Sequence, residues 1–145
     1  MHNTGPAANC PMARSTEWQT ALTVLQEVAP AFFPAGAHVV TVLVEYPPGD
    51  LGAPPHRHPG PAFGYVLEGE MLFELEGLPE RVIRAGEAFW EPGGDVIHYQ
   101  EANNRYDIPV RFTLTMLCGP GAPIFAQVSD SEIDERRNRR ARRSS

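Results

Sequence analysis

The sequence predicts a single-domain all-β protein, a sandwich or a barrel, and three observations carry that reading. Its 15 Pro and 13 Gly cut the middle of the chain into short pieces, with Pro-Pro-Gly at 47–49, Pro-Pro at 54–55 and Pro-Gly-Gly at 92–94. The pieces between these breaks are rich in β-branched and aromatic residues, which suit a pleated surface. The breaks also recur at intervals typical of a sandwich or barrel. With 145 residues and 16.0 kDa, the chain has room for one sizeable core and not for two domains.

Taken in order, the predicted strands are 38–46 (HVVTVLVEY), 62–67 (AFGYVL), 71–75 (MLFEL), 81–84 (RVIR), 87–91 (EAFWE), 96–100 (VIHYQ) and 110–117 (VRFTLTML). Alternation in the third puts Met71, Phe73 and Leu75 on one face as an interior stripe. Ahead of them, residues 17–28 place Trp18, Leu22, Leu25 and Val28 at helical spacing after a capping Ser15, and a helix or a Thr-rich first strand both fit. Residues 130–145 contain one sizeable aliphatic side chain, Ile133, too little to order them, so they read as a tail or a frayed helix. The division is a flexible start at 1–14, a barrel at 15–129 and a disordered Arg-rich tail at 130–145.

Charge and composition narrow the function classes. All 12 basic residues are Arg. Six of them lie in the tail, leaving residues 1–129 with 6 Arg against 14 Asp and Glu, a net of −8, which argues against a nucleic-acid partner. No run reaches the roughly 18 apolar residues of a membrane span. The first residues lack a basic patch followed by an apolar stretch, so the expectation is a cytoplasmic protein. Cys10 and Cys118 are too few for a disulfide framework or a Cys-rich zinc site.

The chemistry centres on histidine. His56 and His58, in PPHRHPG, face one side if the segment is extended, which makes a metal half-site. Imidazole suits Fe, Mn, Ni, Cu and Zn alike. His98 lies in DVIHYQ, whereas His2 and His38 read as surface residues.

The segments HRHPGPAFGYVLEGE and RAGEAFWEPGGDVIH resemble the two motifs of the cupin family, G-x5-H-x-H-x3,4-E-x6-G and G-x5-P-x-G-x2-H-x3-N. His56, His58 and Gly69 match the first. Gly86, Pro92, Gly94 and His98 match the second with one extra residue before His98, and Asn103 follows one residue late. The resemblance spans about 38–126 and implies a double-stranded β-helix, or jelly-roll, barrel. It also implies that His56, His58 and His98 meet at one divalent transition metal, with iron first and Mn, Ni, Cu or Zn as alternatives.

The departures from the family pattern carry further expectations. The motif's metal-binding Glu falls on Ala62, so the fourth ligand is missing and Ala62, Gly64 and Val66 leave room beside the metal. Glu91 stands where an inward apolar residue is usual, and its roles would be alternative ligand, partner fixing a His tautomer, or general base. Gln100, two residues beyond His98, would share its strand face and bind substrate or a metal-bound water. The expected function is therefore an iron-type dioxygenase acting on a small organic molecule, as a homodimer covering its outer apolar face. A non-catalytic metal- or ligand-binding cupin, and a metal-free lyase or isomerase with His98 or Glu91 as base, are the alternatives.

Overall fold

Alternating burial along the strands folds this chain into two antiparallel sheets packed face to face. A computed structural model describes residues 21–143. The first sheet orders β1 (His38–Tyr46), β8 (Val110–Cys118), β3 (Ala62–Glu68) and β6 (Ala88–Glu91). In the second the order is β5 (Arg81–Arg84), β4 (Glu70–Leu75), β7 (His98–Asn103), β2 (His56–Arg57) and β9 (Ala126–Gln127). The two-residue strands β2 and β9 are too short to show a period in sequence.

Strand β8 buries every second residue, Val110, Phe112, Leu114, Met116 and Cys118, and the stripe Met71, Phe73 and Leu75 of β4 is buried with them. Phe89 of β6 links the two sheets, with ring centroids 5.3 Å from Phe73 and 5.8 Å from Phe112. Each fully buried Phe contributes roughly 1.5–3 kcal/mol through the water it sheds. A Cβ on Gly64 would stand 2.0 Å from the Phe89 ring, so Phe89 fills the space that the sequence assigns to substrate. Gly69 turns β3 into β4 at φ 78°, with the Pro109 carbonyl 2.3 Å from where a Cβ would sit.

The two ends of the barrel differ in outcome. Residues 21–28 form neither helix nor strand, while 17–20 and the flexible start at 1–14 lie outside the described residues. Of the two readings of the Arg-rich segment, a tail or a frayed helix, the structure has the helix, α1 (Asp130–Glu135), capped by the Ser129 hydroxyl accepting from Glu132 N–H, followed by a 3-10 turn at Arg137–Arg139. Apolar content alone misjudges it. Ile133 packs on a small second cluster of Ile97, Tyr99 and Val128, and the remaining order comes from charge. Arg136 is buried between Glu76 and Asp95, and Arg140 bonds both oxygens of Glu74 at 2.6 and 2.7 Å while lying over the Tyr99 ring. An acidic barrel thus supplies the partners that an Arg-rich tail needs.

Candidate metal centre

Strand pairing brings the chemistry-bearing residues to one point between the sheets. In the second sheet His56 of β2 is the Cα partner of His98 of β7, and His58 follows β2 directly. In the first sheet Glu91 of β6 lies directly across the ladder from Ala62 of β3. His56, His58, Glu91 and His98 are all buried, and one ligand atom from each lies within 4.8 Å of all the others.

Surrounding hydrogen bonds fix which atoms face inward. His56 Nδ1 donates to the Pro54 carbonyl at 2.8 Å and His58 Nδ1 to the Ile124 carbonyl at 2.6 Å. A carbonyl only accepts, so each Nδ1 carries a proton and Nε2 is the nitrogen left to face a metal ion. His98 Nδ1 approaches Glu91 Oε1 to 2.7 Å, and His58 Nε2 approaches it to 3.4 Å, without the alignment of a hydrogen bond. His58 Nε2, Glu91 Oε2 and both His98 ring nitrogens are buried without a hydrogen-bond partner. Orphaned buried donors and acceptors are rare and costly, and one ligand atom from each of His56, His58, Glu91 and His98 makes a donor set that fits a divalent transition metal. The cluster can hold such an ion, and its donor set does not decide which one.

Electrostatics follow from the same crowding. Burial alone would push the Glu91 carboxyl up, but the imidazoles of His98 and His58 outweigh it and hold the group well below the usual carboxylate range. Burial would likewise lower His58, yet the Glu91 carboxylate overrides it and His58 is pushed up to about 9. Burial, aided by the charge of His98, pushes His56 down to about 4. A metal ion would take over the role that these protons play beside Glu91.

Gln100 is not brought to this cluster. Its amide donates to Glu74 and Glu80 instead. The reason is a β-bulge in β7: Leu75 pairs with His98 and Glu74 with Gln100, so Tyr99 is an extra residue and the alternation slips by one. Glu101 therefore takes the inward place, buried, with Oε2 3.3 Å from His98 Nδ1 and 3.7 Å from His56 Nε2. Tyr46 O–H donates to Glu101 Oε1 at 2.6 Å. Burial and the nearby Glu91 charge raise Glu101 against the pull of His98. Glu101 and Tyr46 are absent from the sequence reading, although the one extra residue between His98 and Asn103 was a signal. Asn103 itself is a loop staple, donating to the carbonyls of Pro47 and Ile108 and accepting from Arg105 N–H.

A cupin domain pattern matches residues 42–116. The chain belongs to the cupin family. This cupin is 32% identical over 76 residues to the dimethylsulfoniopropionate lyase DddQ of Ruegeria pomeroyi, a match covering 52% of this chain and 36% of the lyase. The crystal structure of that lyase matches with a TM-score of 0.51 and 28% identity, over 62% of this chain and 43% of the other. An oxalate oxidase structure, at 23% identity and a TM-score of 0.51, covers 81% of this cupin and 68% of its own chain and shares the fold. The cupin thus spans well under half the length of the lyase it matches.

Proposed function

We propose that this cupin is a metal-dependent enzyme that acts on a small organic molecule by a lyase-type elimination. The observation that carries the reading is a cavity of about 150 Å³ shared by His56, His58, Glu101 and Tyr46. Its walls are otherwise apolar, including Val42, Leu114, Met116 and Phe125, and among the described residues no Arg lines it. A substrate carboxylate therefore finds no side-chain cation there and would rely on the metal, whose Lewis acidity would acidify the neighbouring C–H bond. Glu101, hydrogen-bonded by Tyr46, is placed to take that proton. The C–H electron pair becomes the new double bond as a leaving group on the next carbon departs with its bonding pair, and Tyr46 holds the Glu101 carboxyl in place. The likeness to a lyase supports this order of readings.

The second reading is an iron-type dioxygenase. Three imidazoles and one carboxylate would hold an iron ion that would supply redox chemistry toward dioxygen, and that donor set is what favours it. One experiment separates the two. The protein is loaded with Fe(II) or Zn(II) and offered small carboxylates with a leaving group on the second carbon, beginning with dimethylsulfoniopropionate, under argon and in air. Turnover under argon, lost in Glu101→Gln, supports elimination. Turnover only in air supports the dioxygenase, and tight binding with neither points to a non-catalytic cupin.

A further inference from the structure

We infer that the Arg-rich C-terminal segment is a strap that positions the metal ligands, with Glu132 of α1 as a positioning residue acting through Arg57. The inference rests on the metal reading of the His56, His58, Glu91 and His98 cluster. Arg57 sits between the two ligands of the first motif, and its guanidinium is gripped by both oxygens of Glu132, Nη1 to Oε2 at 3.1 Å and Nη2 to Oε1 at 2.5 Å. Its Nε donates to the Asp95 carbonyl at 3.1 Å. A bidentate Arg–carboxylate pair fixes orientation as well as distance. β2 is only two residues long, so it has little backbone pairing of its own to hold His56 and His58 in register.

The chain leading into that segment, residues 124–128, and Arg136 within it reinforce the same two places. β9 pairs with β2 on the side opposite β7, matching His56 with Gln127 and Arg57 with Ala126. The Ile124 carbonyl fixes the His58 tautomer, and the Phe125 ring stacks on His56 with centroids 4.6 Å apart. Val128 N–H donates to the Pro55 carbonyl at 2.9 Å. Arg136 then ties α1 to Asp95, three residues before His98. The strap therefore grips the segment carrying His56 and His58 through Arg57 and the segment carrying His98 through Arg136. Groups that orient metal ligands from behind typically change affinity by 10–100-fold when removed.

The test titrates the full chain with Co(II) and reads both affinity and the visible spectrum of the bound ion. In Glu132→Gln, which keeps shape and removes charge, cobalt affinity falls by about tenfold or more and the visible bands shift, while Glu132→Asp recovers part of both. Combining Arg57→Met with Glu132→Gln adds little further loss, because both cut the same link. Comparing melting temperatures of the metal-free proteins separates positioning from bracing. A lower melting temperature in Glu132→Gln with wild-type cobalt affinity and spectrum would overturn the strap and leave the metal centre standing. Failure of the wild-type chain to bind cobalt would overturn both.

Discussion

Glu91 occupies the place across the β3–β6 ladder from the residue that the family pattern makes a ligand, Ala62. The carboxylate has moved one strand over without leaving the site, and that relation makes a prediction. Glu91→Leu alone lowers metal affinity by tenfold or more, because a buried carboxylate donor is lost. Adding Ala62→Glu restores most of it, measured by competition with a chelator. A double variant no better than Glu91→Leu would mean that position 62 does not reach the ion. A second prediction comes from His58, raised to about 9 beside Glu91. At pH 7 the metal-free protein carries that proton, so loading releases at least one proton, and the release from His58 fades above about pH 9. By the same sign, the stability that this protonated pair gives the metal-free protein is full below the unfolded value of 6.5 and is lost as pH rises through about 9. Calorimetric titrations in buffers of different ionisation enthalpy count the protons; none at pH 7 contradicts the account. His56 and His58 were legible from their spacing two residues apart, and His98 from the resemblance of its segment to the second cupin motif. Glu101 was not, since one bulged residue, Tyr99, reverses the face on which every later residue of β7 lies.

Among the elements, α1 and the turn after it changed most between sequence and structure. A 16-residue segment with one sizeable aliphatic residue looks unable to order itself, and alone it would be. It orders because Glu74, Glu76 and Asp95 of the barrel meet Arg136 and Arg140, pairings between residues more than 40 positions apart that no local pattern reveals. Replacing Arg136 with Met leaves Glu76 without its guanidinium partner and costs on the order of 1–2 kcal/mol. That is a fall of a few degrees in the melting temperature. An unchanged melting temperature would mean that the segment contributes nothing to the fold. The long strands were easier to foresee. β1 and β8 have nine residues each, enough for alternation to show, whereas β2 and β9 have two each and exist only through their neighbours.

For the whole molecule, the two sheets enclose an apolar core, and Leu114 and Met116 of that core also line the small cavity beside His56 and His58, so fold and site are one construction. No helix among the described residues is long and apolar enough to cross a membrane. Among the described residues β1 pairs only with β8, and its Val39 and Leu43 are exposed. An edge strand with exposed apolar side chains invites a second copy, and we propose a homodimer closed over β1. Sedimentation gives a dimer for the wild-type chain and a monomer for Leu43→Arg; a monomeric wild type at tens of micromolar contradicts it. The central claim, a single metal ion held by His56, His58, Glu91 and His98, is tested most directly by anomalous diffraction at a metal absorption edge from crystals of the loaded protein. The account predicts one peak per chain, about 2.0–2.3 Å from a ligand atom of each of the four residues. A peak elsewhere, or none from fully loaded protein, would contradict it.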